Sequence, residues 1–370
     1  TRVGVSRVPK GVVGLITPWN YPLTMAICDG LAALLAGNTV VHKPASETVL
    51  SALAGVALLR AAGIPAEAWQ VVAGPGPRIG PQLVDQTDMI CFTGSTETGR
   101  TLAAATGAQL KSITAEAGGK NPAIVLADAD IQAAADGLAR ACFDNAGQLC
   151  VNPDVVYVAR EQLEGFVAAL KDAFASFFPT VAGNADLTAV VNERHLARVE
   201  GYLADAIARG ARVESSPAEP LAGRRCPLRI VIDPPADARI LQEEIFGPAV
   251  VVKRYDDVGE AIACINSRPR PLALYYFGED AAEQQRVLDN TLSGGVTINE
   301  AMFHAAMHDA PFGGVGASGM GHYHGREGFI EFSHVRTVFK APAYDPRREW
   351  GMLPPYGEHF LAAMEAQVTP

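Results

Sequence analysis

The sequence predicts an α/β protein with two α/β blocks, and three observations support this fold class. Short β-branched runs alternate with alanine-rich helical stretches from residue 11 to 115. A second block of the same kind extends from residue 122 to about 299. The chain has 370 residues, which is enough to bury more than one core. Such alternation is typical of βαβ units, so we expect mainly parallel sheets and a nucleotide-type first domain.

The first block contains alternating predicted strands and helices. The strands are residues 12–16, 39–41, 69–72, 89–92 and 112–114. The helices are residues 23–35, 48–62 and 96–106, and Gly37-Asn38 and Gly63-Ile64-Pro65 end the first two. The segment Gly74-x-Gly76-x-x-x-Gly80 has one residue too many for the dinucleotide motif. We interpret it as a loop followed by a helix start.

The second block repeats the pattern. Its predicted strands are residues 123–126, 155–158, 228–232, 249–252, 273–277 and 295–298. Its predicted helices are residues 131–143, 162–177, 193–209, 259–265 and 281–288. A glycine-rich loop at residues 313–321 precedes a strand-like run at 330–340, and a short amphipathic segment follows at 358–366.

Composition excludes several classes of protein. The net charge is −10, and the absence of a basic stretch argues against a nucleic-acid partner. Apolar runs are too short to span a bilayer, and no signal peptide opens the chain. The six cysteines are scattered without C-x-x-C spacing. Together these features predict a cytoplasmic protein without a membrane partner.

Two segments carry the strongest chemical signal. Cys150 ends the segment Phe143-x-Asn145-x-Gly147-Gln148-x-Cys150, and Glu116 begins Glu116-Ala117-Gly118-Gly119-Lys120. A thiol nucleophile and a carboxylate base, each in a glycine-containing segment, suggest covalent chemistry followed by activation of water. We interpret the other five cysteines, which lack this context, as core thiols.

The pairing of these segments resembles the aldehyde dehydrogenase superfamily. Further motifs follow in the family's order, and together they cover nearly the whole chain: Ile16-Thr17-Pro18-Trp19-Asn20-Tyr21-Pro22, Lys43-Pro44, Phe92-Thr93-Gly94-Ser95-x-x-x-Gly99, Glu243-Glu244-Ile245-Phe246-Gly247-Pro248 and Pro311-Phe312-Gly313-Gly314. The resemblance implies a Rossmann-type cofactor domain, a second α/β catalytic domain and a small oligomerisation element. It also implies NAD(P)-dependent oxidation of an aldehyde to a carboxylate.

The resemblance assigns the catalytic roles. Cys150 would attack the aldehyde carbon to form a thiohemiacetal, which becomes a thioester after hydride loss. The Asn20 side-chain amide and the Cys150 backbone N–H would stabilise the oxyanion. Glu116 would deprotonate the water that hydrolyses the thioester, and partial burial would raise its pKa. A polar or helix-terminal environment that lowers the thiol pKa would assist the attack.

The resemblance also implies a cofactor site for NAD or NADP. The residues from Gly94 to Gly99 open a helix and would contact the pyrophosphate, with Trp19 nearby. Lys43 would reach the adenine ribose, Glu244 the nicotinamide ribose, and Phe246 the nicotinamide. The implied cofactor residues are Ile16, Thr17, Trp19, Lys43, Ser46, Gly94, Ser95, Gly99, Glu244 and Phe246.

One position departs from the family pattern. Relatives that prefer NAD often carry Lys-Pro-x-Glu, whereas this chain has Lys43-Pro44-Ala45-Ser46-Glu47. Ser46 does not repel a 2′-phosphate as a carboxylate does, so NADP should also be accepted.

The substrate pocket is predicted from residues beside Asn20, beside Cys150 and before Pro311. They are aromatic or apolar, without an arginine or lysine to hold a second carboxylate, which favours neutral aromatic aldehydes, above all the coniferyl type, or medium-chain ones. The pocket residues are Tyr21, Leu149, Val151, Met302, Phe303 and Phe312.

Several sequence features bear on the subgroup and the alternatives. The segment Gly319-Met320-Gly321-His322-Tyr323-His324-Gly325 and the Pro-Pro-Tyr-Gly tail resemble the class 3, fatty-aldehyde and coniferyl aldehyde dehydrogenase subgroup, in which dimers are usual. We expect loop hydrogen bonds from His304, His308, His322 and His324, and no metal. The alternatives are a semialdehyde dehydrogenase, a cysteine esterase-type hydrolase and an inactive truncated dimer.

The expected domains follow the motifs. Residues 1–118 would form the cofactor domain, with residues 1–10 as a strand and turn that joins the oligomerisation element. Residues 119–321 would form the catalytic domain, and residues 322–370 the oligomerisation strand and tail. Members of the family carry a mostly helical segment before the position that matches residue 1 of this chain. We therefore expect that this N-terminal part is absent here.

Overall fold

The structure, a computed structural model, describes residues 2–347 and 349–368. These residues divide into two compact units. The larger unit is Pro9–Phe332, and the smaller combines the N-terminal residues up to Val8 with the chain from Ser333 onward. All the residues of the predicted site lie in the larger unit.

The strands agree closely with the pattern of β-branched runs. Their bounds are β1 (Arg2–Pro9), β2 (Val12–Ile16), β3 (Thr39–Lys43), β4 (Trp69–Val71), β5 (Met89–Gly94), β6 (Ser112–Ala117), β7 (Pro122–Val125), β8 (Val155–Ala159), β9 (Arg212–Ser216), β10 (Leu228–Ile232), β11 (Ala249–Tyr255), β12 (Ala273–Phe277), β13 (Gly295–Ile298), β14 (Gly319–Met320) and β15 (Ser333–Lys340).

The helices also follow the predicted order. Their bounds are α1 (Thr24–Leu35), α2 (Val49–Ala61), α3 (Gly76–Gln86), α4 (Thr96–Ala108), α5 (Ile131–Phe143), α6 (Leu163–Phe177), α7 (Glu193–Ala208), α8 (Arg239–Gln242), α9 (Val258–Asn266), α10 (Ala281–Asn290), α11 (Gly325–Glu331) and α12 (Glu358–Val368). Helix α3 begins at Gly76, which confirms the interpretation of the glycine-rich segment as a loop and helix start.

The first sheet has the strand order β14-β6-β5-β2-β3-β4. Its pairs are parallel except for β14, which runs antiparallel to β6. Strand β2 lies between β3 and β5, so the chain reverses its direction of winding there. In such sheets ligands bind beyond the carboxyl ends of the strands at this switch point. The segments after Ile16 and Gly94 leave the sheet at that place.

The second sheet has the strand order β13-β12-β7-β8-β11-β10-β9. It is parallel except for β9, which pairs antiparallel with β10 and was not among the predicted strands. Four of the five residues of β9 are polar, and only Ser216 is buried, so the strand lacks the apolar run that marks a buried strand. The loop that carries Cys150 connects α5 to β8.

The prediction of a strand over residues 330–340 is partly wrong. Residues 325–331 form helix α11, and strand β15 begins only at Ser333. A Cβ atom at Gly328 would lie 3.7 Å from the Ala32 side chain and 3.3 Å from the Tyr323 backbone. Tertiary packing on α1 therefore overrides the strand-like composition.

The smaller unit contains a two-stranded sheet of β1 and β15 and the helix α12. Arg336 donates a hydrogen bond to the Ser6 hydroxyl at 3.3 Å. No helix among the described residues is both long and apolar enough to cross a membrane.

Candidate active site

Two cavities share a wall formed by Cys150 and Asn20. One cavity has a volume of about 320 Å³ and the other about 250 Å³, and both residues line each of them. Glu116 lines the smaller cavity. Asn20 follows β2, Glu116 lies near the end of β6, and Cys150 follows α5, so three distant segments meet at one place.

The loop before Cys150 is held in an unusual backbone conformation. Asn145, Ala146 and Gly147 have φ angles of 52°, 56° and 68°. A Cβ atom at Gly147 would lie 2.3 Å from the Gly247 carbonyl oxygen, so only glycine fits there. Asn121 donates to the Cys150 carbonyl at 2.7 Å, which fixes the end of the loop. Strained segments that surrounding contacts hold in place are typical of functional sites.

Asn20 is positioned from both sides. Its side-chain amide donates to the Gln148 carbonyl at 3.0 Å, and Asn145 donates to the Asn20 carbonyl at 2.8 Å. The amide group carries two hydrogens, so one N–H is left after this bond. The Asn20 amide therefore lies beside Cys150 with one donor available.

Glu116 is a buried carboxyl group that is only 1% exposed. Neither of its oxygens makes a hydrogen bond of normal geometry with any residue that the structure describes. Burial raises the pKa of Glu116 to about 8; Asp29 and Glu244 raise it further, whereas Cys150 and Thr93 oppose the shift. A carboxyl group with such a pKa can exchange a proton near neutral pH.

The Cys150 thiol differs from the expectation of a lowered pKa. Burial raises the pKa of this thiol well above its usual value, and the Glu116 carboxylate raises it further. Glu116 and Glu244 are acidic groups near the sulfur, and their negative charges disfavour the thiolate form. The thiol therefore needs a base to accept its proton.

The smaller cavity contains half of the implied cofactor residues. Ser95 caps α4 by accepting from the Thr98 N–H at 3.4 Å, and Trp19 meets the Phe246 ring edge-on at 5.5 Å. Glu244 accepts from the Gly119 N–H at 3.0 Å, and burial raises its pKa to about 8. The predicted residues in this lining are Trp19, Gly94, Ser95, Glu244 and Phe246.

The cavity offers aromatic rings and polar side chains to part of a nucleotide cofactor. A Cβ atom at Gly118 would lie 1.8 Å from the Glu244 carboxylate, so only glycine lets this carboxylate lie against the backbone there. The cavity also contacts two residues that the sequence analysis missed, His195 and Arg198 on α7. Arg198 donates to the carbonyl groups of Glu244 and Phe246, both at 3.1 Å. The sequence carried no signal for them beyond their position on an amphipathic helix.

The other implied cofactor residues lie outside the lining of the smaller cavity: Ile16, Thr17, Lys43, Ser46 and Gly99. The Thr17 hydroxyl lies 2.8 Å from the His42 ring nitrogen, and the Lys43 ammonium donates to the Pro44 carbonyl at 3.0 Å. Ser46 is exposed. Their roles toward the cofactor stay predictions.

The larger cavity contains five of the six predicted pocket residues: Tyr21, Leu149, Val151, Met302 and Phe312. Phe303 lies outside it and is 57% exposed. Met302 has a φ angle of 67°, and this left-handed turn directs the chain toward the surface at Phe303. The residue type of Phe303 does not predict this turn.

Several residues of the larger cavity were missed. Met25, Cys28 and Asp29 follow Tyr21 on α1 and could have been found from helical periodicity. His308 and His324 also line the cavity, with ring centroids 5.2 Å apart. His304 instead lies 2.7 Å from the Thr297 hydroxyl, a hydrogen bond of the expected kind.

Known proteins are similar to this chain in sequence and in fold. The family model described as "Aldehyde dehydrogenase family" matches residues 1–338. A probable coniferyl aldehyde dehydrogenase of Caulobacter vibrioides is 42% identical over 97% of this chain and 75% of its own length. A Mycobacterium bovis protein provisionally named succinate-semialdehyde dehydrogenase [NADP(+)] 2 is 37% identical over 94% of this chain and 67% of its own length.

The fold has matches among solved structures. AldH of Staphylococcus aureus in a substrate-bound state superposes with a TM-score of 0.90 at 32% identity, covering 99% of this chain and 79% of that one. The family match and the shared fold agree with the site built above. The chain therefore belongs to the aldehyde dehydrogenase family and is an NAD(P)-dependent oxidoreductase.

Proposed function

We propose that this protein oxidises neutral aromatic or medium-chain aldehydes to carboxylates, with Cys150 as nucleophile, Asn20 as oxyanion donor and Glu116 as base. The observation that carries the proposal is the wall of Cys150 and Asn20 between the two cavities. A substrate in the larger cavity and a cofactor in the smaller one would both reach the same sulfur atom.

The first half-reaction begins with proton transfer. The Cys150 thiol gives its proton to the Glu116 carboxylate as the sulfur attacks the aldehyde carbon. Burial is the main cause of the raised pKa of Glu116, and this raised pKa suits the carboxylate to accept the proton. A carbon–sulfur bond forms, and the carbonyl oxygen becomes an oxyanion. The Asn20 amide and the Cys150 N–H are the donors that would stabilise it.

Hydride loss converts this adduct to a thioester. The bound NAD or NADP supplies the chemistry of hydride acceptance. The chain's own part is to hold the cofactor against Cys150. The Trp19 and Phe246 rings form one wall for it, and Gly118 with the Glu244 carboxylate packed against it forms another.

The second half-reaction hydrolyses the thioester. Glu116 first releases its proton to solvent and then takes one from a water molecule, whose oxygen attacks the thioester carbon. The carbon–sulfur bond breaks, the product leaves as a carboxylate, and Cys150 regains a proton. The burial of Glu116 keeps this carboxylate poorly solvated and hence strongly basic.

The charge of the larger cavity supports neutral substrates. Among the residues that the structure describes, those that line this cavity include Asp29 and Asp144 but no lysine or arginine. Asp144 accepts a short hydrogen bond of 2.5 Å from the Tyr21 hydroxyl. A substrate with a second carboxylate would meet these acids without a permanent cation to pair with. Because the chain resembles a coniferyl aldehyde dehydrogenase, aromatic enals are the substrates that we expect it to prefer.

A semialdehyde dehydrogenase is the second candidate, because one relative carries that name. His308 and His324 are the lining residues that could become cationic and bind a carboxylate. Burial and His308 lower the pKa of His324, however, which disfavours its charged form at neutral pH.

The decisive experiment measures NAD(P)H formation with a cinnamaldehyde-type substrate and with succinic semialdehyde. Wild-type protein should have the higher kcat/KM for the former, and Cys150→Ala should be inactive on both while retaining cofactor binding. A preference for the semialdehyde would establish the second candidate. Ester cleavage without NAD(P)H formation would indicate a hydrolase, and an inert, folded wild-type dimer would indicate an inactive relative.

The proposed function also includes a cellular compartment and an assembly state. All six cysteines are free thiols, and three of them are buried. This usage fits the reducing cytoplasm. A homodimer is the proposed assembly.

A further inference from the structure

Asp29 is a buried carboxyl group that takes no part in the proton transfers of the proposed mechanism. It lies on α1, is 1% exposed and lines the substrate cavity. Its Oδ2 atom accepts from the Cys91 thiol at 3.9 Å, and its Oδ1 atom has no hydrogen-bond partner among the described residues. An unpaired buried carboxylate is costly, so its presence beside the substrate calls for a physical explanation.

The register of the first sheet brings Asp29 to the Glu116 side. Cys91 pairs with Thr114, and Thr93 pairs with Glu116, across the parallel strands β5 and β6. Side chains alternate between the two faces of a strand, so Cys91 and Glu116 project from the same face. Since Asp29 contacts Cys91, it lies over the face from which Glu116 projects.

The groups around these two carboxyls are acidic or neutral. Glu116 interacts with Cys150, Asp29, Glu244 and Thr93. Asp29 interacts with the thiols of Cys28 and Cys91 and with Tyr323. The Tyr323 hydroxyl is buried and has no hydrogen-bond partner among the described residues. The Glu331 carboxylate also acts on Cys91. His308 and His324 line the same cavity as Asp29, and burial lowers the pKa of His324, which disfavours its cationic form. The groups that act on the two carboxyls therefore include no permanent cation that could offset two negative charges.

Two carboxylates in such surroundings do not ionise independently. Burial raises the pKa of Asp29 to about 7 and that of Glu116 to about 8. The charge on an ionised Asp29 raises the pKa of Glu116 and so disfavours ionisation of Glu116.

We propose that Asp29 is a positioning residue for the base: the Asp29 and Glu116 carboxyls titrate as one coupled pair, and the charge on Asp29 fixes the pH above which Glu116 is available. The inference rests on the proposed role of Glu116 in thioester hydrolysis. It gives the buried acid on α1 a function that needs no contact with the substrate.

The test is the pH dependence of kcat for an aldehyde that shows a burst of NAD(P)H, so that hydrolysis limits turnover. The wild-type rate should rise with pH through about 8, because Glu116 must lose its proton. Asp29→Asn removes the neighbouring charge and should move this acid limb down by about one pH unit. Asp29→Glu retains the charge and should leave the limb near its wild-type position.

Two further variants keep the test decisive. Asp29→Ser is smaller and also neutral, so it should shift the limb equally and replaces Asp29→Asn if that variant does not fold. Glu331→Gln is the matched control, because the Glu331 carboxylate accepts from Thr114 at 2.7 Å near the same strands, and its loss should leave the limb in place.

The outcomes separate two failures. If neutral variants at Asp29 lower kcat equally at every pH, Asp29 is only structural and the inference is wrong. If the limb persists in Glu116→Gln, the base assignment itself is wrong, whatever happens at Asp29.

Discussion

At the scale of single residues, Cys150 and Glu116 depend on each other. The thiol lies in surroundings that oppose its ionisation, and the nearby carboxyl group is itself too poorly solvated to hold a charge easily. A proton moved from sulfur to carboxylate stays within the pair and leaves its total charge unchanged. In the proposed mechanism, a thiol with a raised pKa and a neighbouring base act together, in place of the expected thiol with a lowered pKa.

The first prediction separates the two half-reactions. Glu116→Gln keeps the shape of the side chain but removes the base for hydrolysis, so the thioester should accumulate. Because Glu116 also accepts the thiol proton in the proposed mechanism, rapid mixing should show a burst of NAD(P)H that is slower than in the wild type. Turnover after the burst should be at least about 100-fold slower than in the wild type. Steady-state rates like those of the wild type would remove Glu116 from the mechanism.

The second prediction concerns Ser46, which is exposed beside Lys43. Ser46→Glu would place a carboxylate near a 2′-phosphate and shift the preference toward NAD by roughly 1–3 kcal/mol. Dissociation constants for NAD and NADP measure the shift directly. An NADP dissociation constant that the substitution leaves unmoved would refute the role of Ser46.

Glu47 provides the matched control for this prediction. Its carboxylate interacts with both Lys43 and His195, so one negative charge already lies on this side of the cofactor site. Glu47→Gln should therefore change the preference in the opposite direction, toward NADP. The sequence placed this glutamate one position beyond the family pattern, and the structure shows which side chains it reaches.

At the scale of elements, the segment between α5 and β8 determines where Cys150 lies. Gln148 accepts from the Val191 N–H at 2.8 Å through its side chain and donates to the Asn145 carbonyl at 2.9 Å. These bonds tie the left-handed turn at residues 145–147 to a loop more than forty positions away. The position of the sulfur is therefore set by tertiary contacts rather than by the loop alone.

The third prediction tests this loop. Gly147→Ala would place a Cβ atom 2.3 Å from the Gly247 carbonyl oxygen at a φ angle of 68°, so the loop must move. The free energy of unfolding in urea should fall by about 1–3 kcal/mol, and kcat should fall as well.

Gly201→Ala is the control for this change. Gly201 lies within α7. Apart from its two chain neighbours and the backbone of the helix itself, no atom lies within 4 Å of a Cβ placed there. This substitution should be neutral or stabilise the helix by up to about 1 kcal/mol. Equal unfolding free energies and rates in both variants would show that the loop tolerates a side chain at position 147.

At the scale of the whole molecule, the two-stranded sheet of the smaller unit exposes apolar side chains. Val3 and Val5 on β1 and Val335 and Phe339 on β15 are all exposed, Phe339 by 61%. Each pair has an even spacing, so its members project from the same face of their strand. Two strands with exposed apolar residues gain stability when another surface covers them.

The fourth prediction follows from this sheet and from the subgroup resemblance. Phe339→Glu should convert the expected dimer to a monomer, because a carboxylate would be buried without a partner at the interface. Sedimentation equilibrium of the wild type and the variant measures the change. Lys340→Glu, which changes charge at the neighbouring position, serves as the control and should stay dimeric. A wild-type protein that is monomeric at micromolar concentration would contradict the proposal.

Much of the fold and the central chemistry could be predicted from the sequence. Strands such as β2, β10 and β12 and helix α5 begin and end at the predicted residues, because buried runs and helix caps are local signals. Cys150, Glu116 and Asn20 were proposed as site residues from motifs that resemble the aldehyde dehydrogenase family. All three line the smaller cavity, and this agrees with the rule for strand ends in α/β sheets.

Only the tertiary structure determined which other side chains join them. The two cavities include Asp29, His195, Arg198 and Tyr323 and exclude Phe303, and no local pattern separates these cases. The raised pKa of the Cys150 thiol likewise arises from burial and from acids distant in the sequence. Residue type and spacing act over a few positions, whereas solvation and charge depend on segments that meet only when the chain folds.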